Sequence, residues 1–105
     1  MKHTKSMYYK PTTESKELFL FITNDSQLYH NHTQPIINNL KKKAVKGTYE
    51  TEKAVDLYYY LATAGSEKYF KDFGYKFNVT DRYTVAVDLE AYYKDDEVFY
   101  KINNK

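Results

Sequence analysis

The sequence predicts an all-α fold, a small single-domain bundle of three or four helices behind a flexible N-terminal arm, on three observations. Apolar residues recur near the 3.6-residue helical period in several segments. Gly47 and Gly74 stand where two of those periodic stretches stop. The one run with strand character, "LFLFI" at 18–22, has no second convincing strand to pair with, and a solitary strand leaves its ladder groups unsatisfied.

Residues 1–12 are polar, aperiodic and contain Pro11, which predicts a loose arm ahead of one helical domain at 13–105. In "TTESKELFLFITND", Thr13 can cap a first helix, Glu14 and Glu17 favour its N-terminal turn, and Asn24-Asp25 supplies a stop. A second helix follows in "DSQLYHNHTQPIINNLKKKAVKG", with Asp25 or Ser26 as cap. Leu28, Ile36, Ile37, Leu40 and Ala44 form its apolar stripe, and Gly47 stops it. Pro35 interrupts this pattern, either as a kink or in the first turn of a shorter helix capped by Thr33 or Gln34.

A longer helix is predicted from about Tyr49 to Phe73, with Thr48 as cap, Gly74 as stop and Gly65 as a bend or close crossing. Its stripe is Ala54, Leu57, Tyr58, Leu61, Ala64 and Phe73. Thr80 is the expected cap of the last helix, in which Val85, Ala86, Leu89, Tyr92 and Tyr93 make the buried stripe. The charged tail either frays or docks by Val98, Phe99 and Tyr100.

With 105 residues the chain is too short for two self-sufficient cores. Thirteen tyrosines and six phenylalanines supply much of its 42% hydrophobic content, so many phenol rings must lie half-exposed. The absence of cysteine rules out disulfides and thiolate metal sites. "MKHTKSMYYKPTTESK" leads into no apolar run of signal-peptide length, and "LFLFI" is too short to cross a bilayer, so a soluble intracellular chain with no membrane partner is expected. Net charge is +2 but uneven: residues 1–53 hold nine lysines and five acidic groups, and residues 54–105 hold seven basic and nine acidic groups.

Catalytic chemistry finds little support. No serine sits in a nucleophile elbow, and the three glycines are isolated and cannot form a phosphate loop. Asp95, Asp96 and Glu97 are consecutive and solvated, while Lys53 lies among Glu50, Glu52 and Asp56. His30 and His32, two apart, diverge on a helix and converge only on extended or kinked backbone. Neither enzyme activity nor a metal or other cofactor is expected.

Two surfaces remain. Lys41, Lys42, Lys43 and Lys46 crowd the end of the second helix, where cations favour the helix dipole. The same group, joined by Tyr49 and Lys53, could meet nucleic-acid phosphates. "LYYYLA" at 57–62 sets Tyr58, Tyr59 and Tyr60 about 100° apart, so at least one faces away from the core and can anchor a protein partner. Tyr29, Tyr69, Tyr9, Tyr75, Tyr83 and Tyr100 are further aromatic candidates, and a helix face of this kind can also pair with its own copy.

"ELFLFITNDSQLY", "QPIINNLKKKAVKGTYETEKAVDLYYYLATAGSEKYFKDF" and "DRYTVAVDLEAYY" together resemble a family of small uncharacterised, predominantly helical bacteriophage proteins. The resemblance spans roughly residues 17–93. Its most specific parts are "TNDSQLY", "QPIINNL" followed by "KGTYETEKA", and the arginine-led final helix. It implies an accessory protein in the cytoplasm of an infected bacterium, binding a host or phage protein or associating with replication or transcription machinery. It also makes Asn24, Asp25, Gln27 and Tyr29 candidates for partner contact, beside their local role in capping and turn formation.

Overall fold

In the computed structural model, which describes residues 9–67, 69 and 77–94, the first helix begins on a doubly engaged threonine. Thr12, and not the expected Thr13, caps α1 (Thr13–Asn24). Its Oγ1 accepts from the Ser15 amide at 3.0 Å, and Ser15 Oγ accepts from the Thr12 amide at 2.8 Å. The same Thr12 hydroxyl donates to Asp81 Oδ1 at 2.9 Å, a tertiary contact that selects this threonine over its neighbour. Helix wins over strand in "LFLFI" because Leu18 and Ile22, one turn apart, both enter the core, which leaves Leu20 outside.

Asp25 ends α1 and starts α2: its amide donates to Phe21 O at 3.0 Å and its carboxylate accepts from the Leu28 amide at 2.8 Å. The second helix, α2, is composite, with an α-turn Ser26–Leu28, a π-turn Tyr29–Thr33 and an α-segment Gln34–Lys46. The expected disturbance at Pro35 takes this form. A proline ring clashes with the carbonyl four residues back, and the wider π-turn just before it relieves that crowding, with the Gln34 amide reaching Tyr29 O. Gly47 stops α2 in the left-handed region (φ 77°), and the Thr48 amide reaches back to Lys43 O at 2.8 Å.

The third helix, α3, comprises Thr51–Tyr60 and a second π-turn, Leu61–Gly65. It starts later than the expected Tyr49, and Thr48 does not cap it: the Thr48 hydroxyl donates to Lys43 O and serves the end of α2. Glu50 takes the cap position in extended backbone. Phe73, the Gly74 stop and the tail residues Val98, Phe99 and Tyr100 lie outside the described residues.

The fourth helix, α4 (Val79–Lys94), begins on Asn78 and not on Thr80. Asn78 Oδ1 accepts from the Asp81 amide at 2.7 Å, and Asp81 Oδ2 accepts from the Asn78 amide at 3.3 Å. α4 packs against both α1 and α3. Its buried residues, which include Tyr83, Val85, Ala86, Leu89 and Tyr93, therefore exceed a single stripe. Tyr92, expected in that stripe, is 56% exposed, while Tyr83 is buried in its stead. The lone arginine, Arg82, ties the α3 π-turn to the start of α4: its Nη1 donates to Ala62 O at 2.7 Å and its Nε to Phe77 O at 3.1 Å. Leu18, Ile22, Leu28, Leu40, Leu61, Val85 and Leu89 close one shared core, so the described residues form a small all-α bundle of four helices.

Candidate protein-binding face

Five consecutive apolar residues cannot all face one core when each is turned about 100° from the last. In α1 the surplus falls beside α4. Phe19 and Leu20, with Lys16 one turn below and Asp88 on the facing helix, line an open groove of about 310 Å³. Tyr92 extends this face, its ring set edge-on to Phe19 at 5.5 Å. Leu20 and Tyr92, each one turn beyond the charged residue of its own helix, are both 56% exposed. Tyr92 contacts Tyr93 at 5.0 Å, and Tyr93 stacks on Tyr58 at 5.9 Å, so a continuous aromatic path runs from this face into the core.

The chain before α1 frames the groove. Thr12 meets Asp81, the Lys10 amide donates to Thr84 Oγ1 at 2.8 Å, and Tyr9 Oη donates to Asp88 Oδ1 at 2.7 Å. Moving from Thr12 back to Tyr9, the segment climbs α4 by about a turn at a time. The Asp88 hydrogen bond, then burial, then the Asp88 charge push the Tyr9 phenol from 10.0 up to about 12. Residues 1–8 of the expected arm lie outside the described residues.

On the opposite side of α4, the buried Glu90 accepts from Tyr49 Oη at 2.6 Å, with Lys94 Nζ at 3.5 Å. Burial first, and then this carboxylate, raise the Tyr49 phenol far above its ordinary range. Glu90 and Lys94 also line a groove of about 320 Å³ between α3 and α4, so this contact forms part of its wall.

The tyrosines singled out from sequence scatter. Tyr58 is buried at 2% exposure and belongs to the core, not to an accessible surface. Tyr29 and Tyr59 are half-buried against that core, and Tyr69 is partly buried, its hydroxyl accepting from Asn31 Nδ2 at 3.1 Å. Of the "LYYYLA" rings, Tyr60 is the exposed one. Of the polar turn residues, Asp25 is occupied as the α2 cap, and Asn24 and Gln27 are exposed.

The lysines divide. Lys41, Lys42 and Lys46 surround exposed Val45 in a depression of about 230 Å³. Lys43 is half-buried, and Lys53 leaves the group to pair with Glu50 at 2.9 Å, which raises the lysine pKa and lowers that of the glutamate. His30 and His32 likewise part: His30 faces Gln34, and His32 lies edge-on to Tyr69 at 5.8 Å. Among the described residues, no three His, Cys, Asp or Glu side chains are grouped to hold a metal ion, and no helix is long and apolar enough to cross a membrane.

Sequence reasoning passed over Lys16, Phe19, Leu20 and Asp88, and placed Tyr92 in the core. The usable signal was the width of the apolar run in α1, which exceeds one helical stripe. No protein-family model matches this chain, and neither a curated protein nor a solved structure matches it.

Proposed function

We propose that this chain is a protein-binding accessory module whose contact face is the groove between α1 and α4. The single observation that carries this reading is the pair of exposed apolar side chains, Leu20 and Tyr92, set on either side of Phe19 within a frame of opposite charges. Leucine and tyrosine on a rigid helical surface supply contact area at little entropic cost, and Lys16 and Asp88 supply orientation at the rim. The bacteriophage resemblance supports a host or phage protein as the client. Its setting would be the cytoplasm of an infected bacterium.

The test is affinity capture from host lysate with the tagged chain, its Leu20→Asp variant and nuclease-treated controls run in parallel. A discrete protein retained through nuclease treatment and lost with Leu20→Asp is the expected result. Retention that ignores Leu20→Asp would remove this face from the function.

A second reading rests on the lysine depression. Lys41, Lys42 and Lys46 converge around Val45 with no ion pair to a carboxylate among the described residues, an arrangement that suits nucleic-acid phosphates. Binding of labelled DNA or RNA that falls steeply with salt and weakens across sequences in Lys42→Glu/Lys46→Glu would favour it. Salt-insensitive or absent binding would set it aside.

A further inference from the structure

We infer that the α1/α4 face is self-complementary, so that two copies of the chain close on it as a two-fold dimer. The inference rests on the protein-binding reading of this face and names the occupant of the groove when no client is present. α1 and α4 run in the same direction: the start of α1, at Thr12, touches the start of α4, at Asp81, and Phe19 further along α1 touches Tyr92 further along α4. Lys16 and Asp88 line the same groove from opposite helices, and Leu20 and Tyr92 each lie four residues beyond them.

A two-fold axis along the groove exchanges its walls. It lays α1 of one copy over α4 of the other, which sets Lys16 against Asp88 of the second copy and Leu20 against its Tyr92, each contact being made twice. The charges are available for this exchange. Lys16 forms no ion pair among the described residues, and Asp88 offers Oδ2 because Tyr9 occupies Oδ1. A face whose described residues carry one charge of each sign around an apolar centre complements its own copy. Dimerisation would also cover the two exposed apolar groups until a client displaces the second copy.

Sedimentation equilibrium of the full chain, from low micromolar to millimolar concentration, tests the proposal, with circular dichroism of each variant confirming the helical fold. Wild type is expected to pass from protomer mass to twice that mass as concentration rises. Lys16→Glu, which sets glutamate against Asp88 of the second copy, should raise the dimer dissociation constant about tenfold or more. The double reversal Lys16→Glu/Asp88→Lys should restore it, a rescue that no loss of internal packing would produce. Leu20→Asp should leave protomer alone. A chain that stays at protomer mass throughout, or a dimer indifferent to Lys16→Glu and Leu20→Asp, overturns the proposal. If the protomeric chain still captures a client through Leu20, the dimer alone has failed; if capture is also indifferent to Leu20, the binding face has failed with it.

Discussion

Tyr49 donates its hydroxyl to Glu90 at 2.6 Å, joining the loop before α3 to α4 one turn before that helix ends. The carboxylate is buried, and its other partner, Lys94, stands further off at 3.5 Å and is half-exposed. Tyr49→Phe removes the shorter contact and leaves a buried polar group under-satisfied, at a cost of about 1–3 kcal/mol. For a chain of this size about 1 kcal/mol lowers the melting temperature by roughly 4–8 °C, so calorimetry resolves the change. Tyr49→Phe/Glu90→Leu should cost less than its two single variants together, because the second change removes the acceptor that the first one strands. Additive losses would show that the two groups act separately.

Alkaline pH should weaken the fold through its tyrosines. Tyr9 is raised from 10.0 to about 12 by Asp88, and burial holds Tyr49, Tyr58 and Tyr93 higher still. Between these values the folded chain keeps phenol protons that the unfolded chain releases. Their stabilising contribution is therefore complete below pH 10 and is lost as pH rises toward 12 and beyond. Urea unfolding at stepped pH, with tyrosinate absorbance followed alongside helicity, should show a decline that begins near pH 10 and is shallower in Tyr9→Phe. A stability curve that is level across that window would exclude this linkage.

Where a helix end is decided by its own residues, the sequence reading holds: Asp25 caps α2 and Gly47 stops it, because a carboxylate acceptor and a left-handed backbone are local requirements. Where a tertiary partner decides, it drifts. Thr12 replaces Thr13 because Asp81 is within reach, and Thr48 turns back to Lys43. The π-turns were visible only as a disturbance at Pro35 and a bend at Gly65, since neither residue dictates an added backbone unit by itself. On α4 the stripe argument fails for a geometric reason. With α1 and α3 both packed against it, buried residues spread beyond one face, and Tyr83 and Tyr92 exchange the places expected for them. The candidate face was legible only as the surplus width of the apolar run in α1, because its position is the edge where α1 and α4 stop covering each other.

Asp81 should be worth more than an ordinary cap. One oxygen accepts from the Thr12 hydroxyl at 2.9 Å and the other from the Asn78 amide at 3.3 Å, so a single side chain serves the starts of α1 and α4. A usual cap contributes about 1 kcal/mol, and Asp81→Ala should cost about 2 kcal/mol because it loosens both ends. Thr12→Val, which keeps the shape, loses both the bond to Asp81 and the cap on the Ser15 amide, so it should cost about 1–2 kcal/mol alone and less than that on top of Asp81→Ala, where only the cap is left to lose. Denaturant unfolding measures the totals. Amide exchange at Ser15 and Asp81 should rise together in Asp81→Ala, and faster exchange confined to α4 would disprove the shared role.

The glycines at 47 and 65 should respond to alanine with opposite signs. Gly47 has φ 77° and nothing within 4 Å of an added Cβ, so Gly47→Ala meets no clash and carries only the backbone penalty. That penalty is about 1 kcal/mol. Gly65 has no positive φ, and its added Cβ would meet Tyr60 Cε2 at 3.3 Å. Tyr60 is half-exposed, so its ring can swing a few tenths of an ångström outward. Gly65→Ala then keeps the benefit of lower unfolded-state entropy and gains up to about 1 kcal/mol. Paired thermal melts decide between these signs. Loss of stability in Gly65→Ala would mean that the Tyr60 ring is held in place more firmly than its exposure implies.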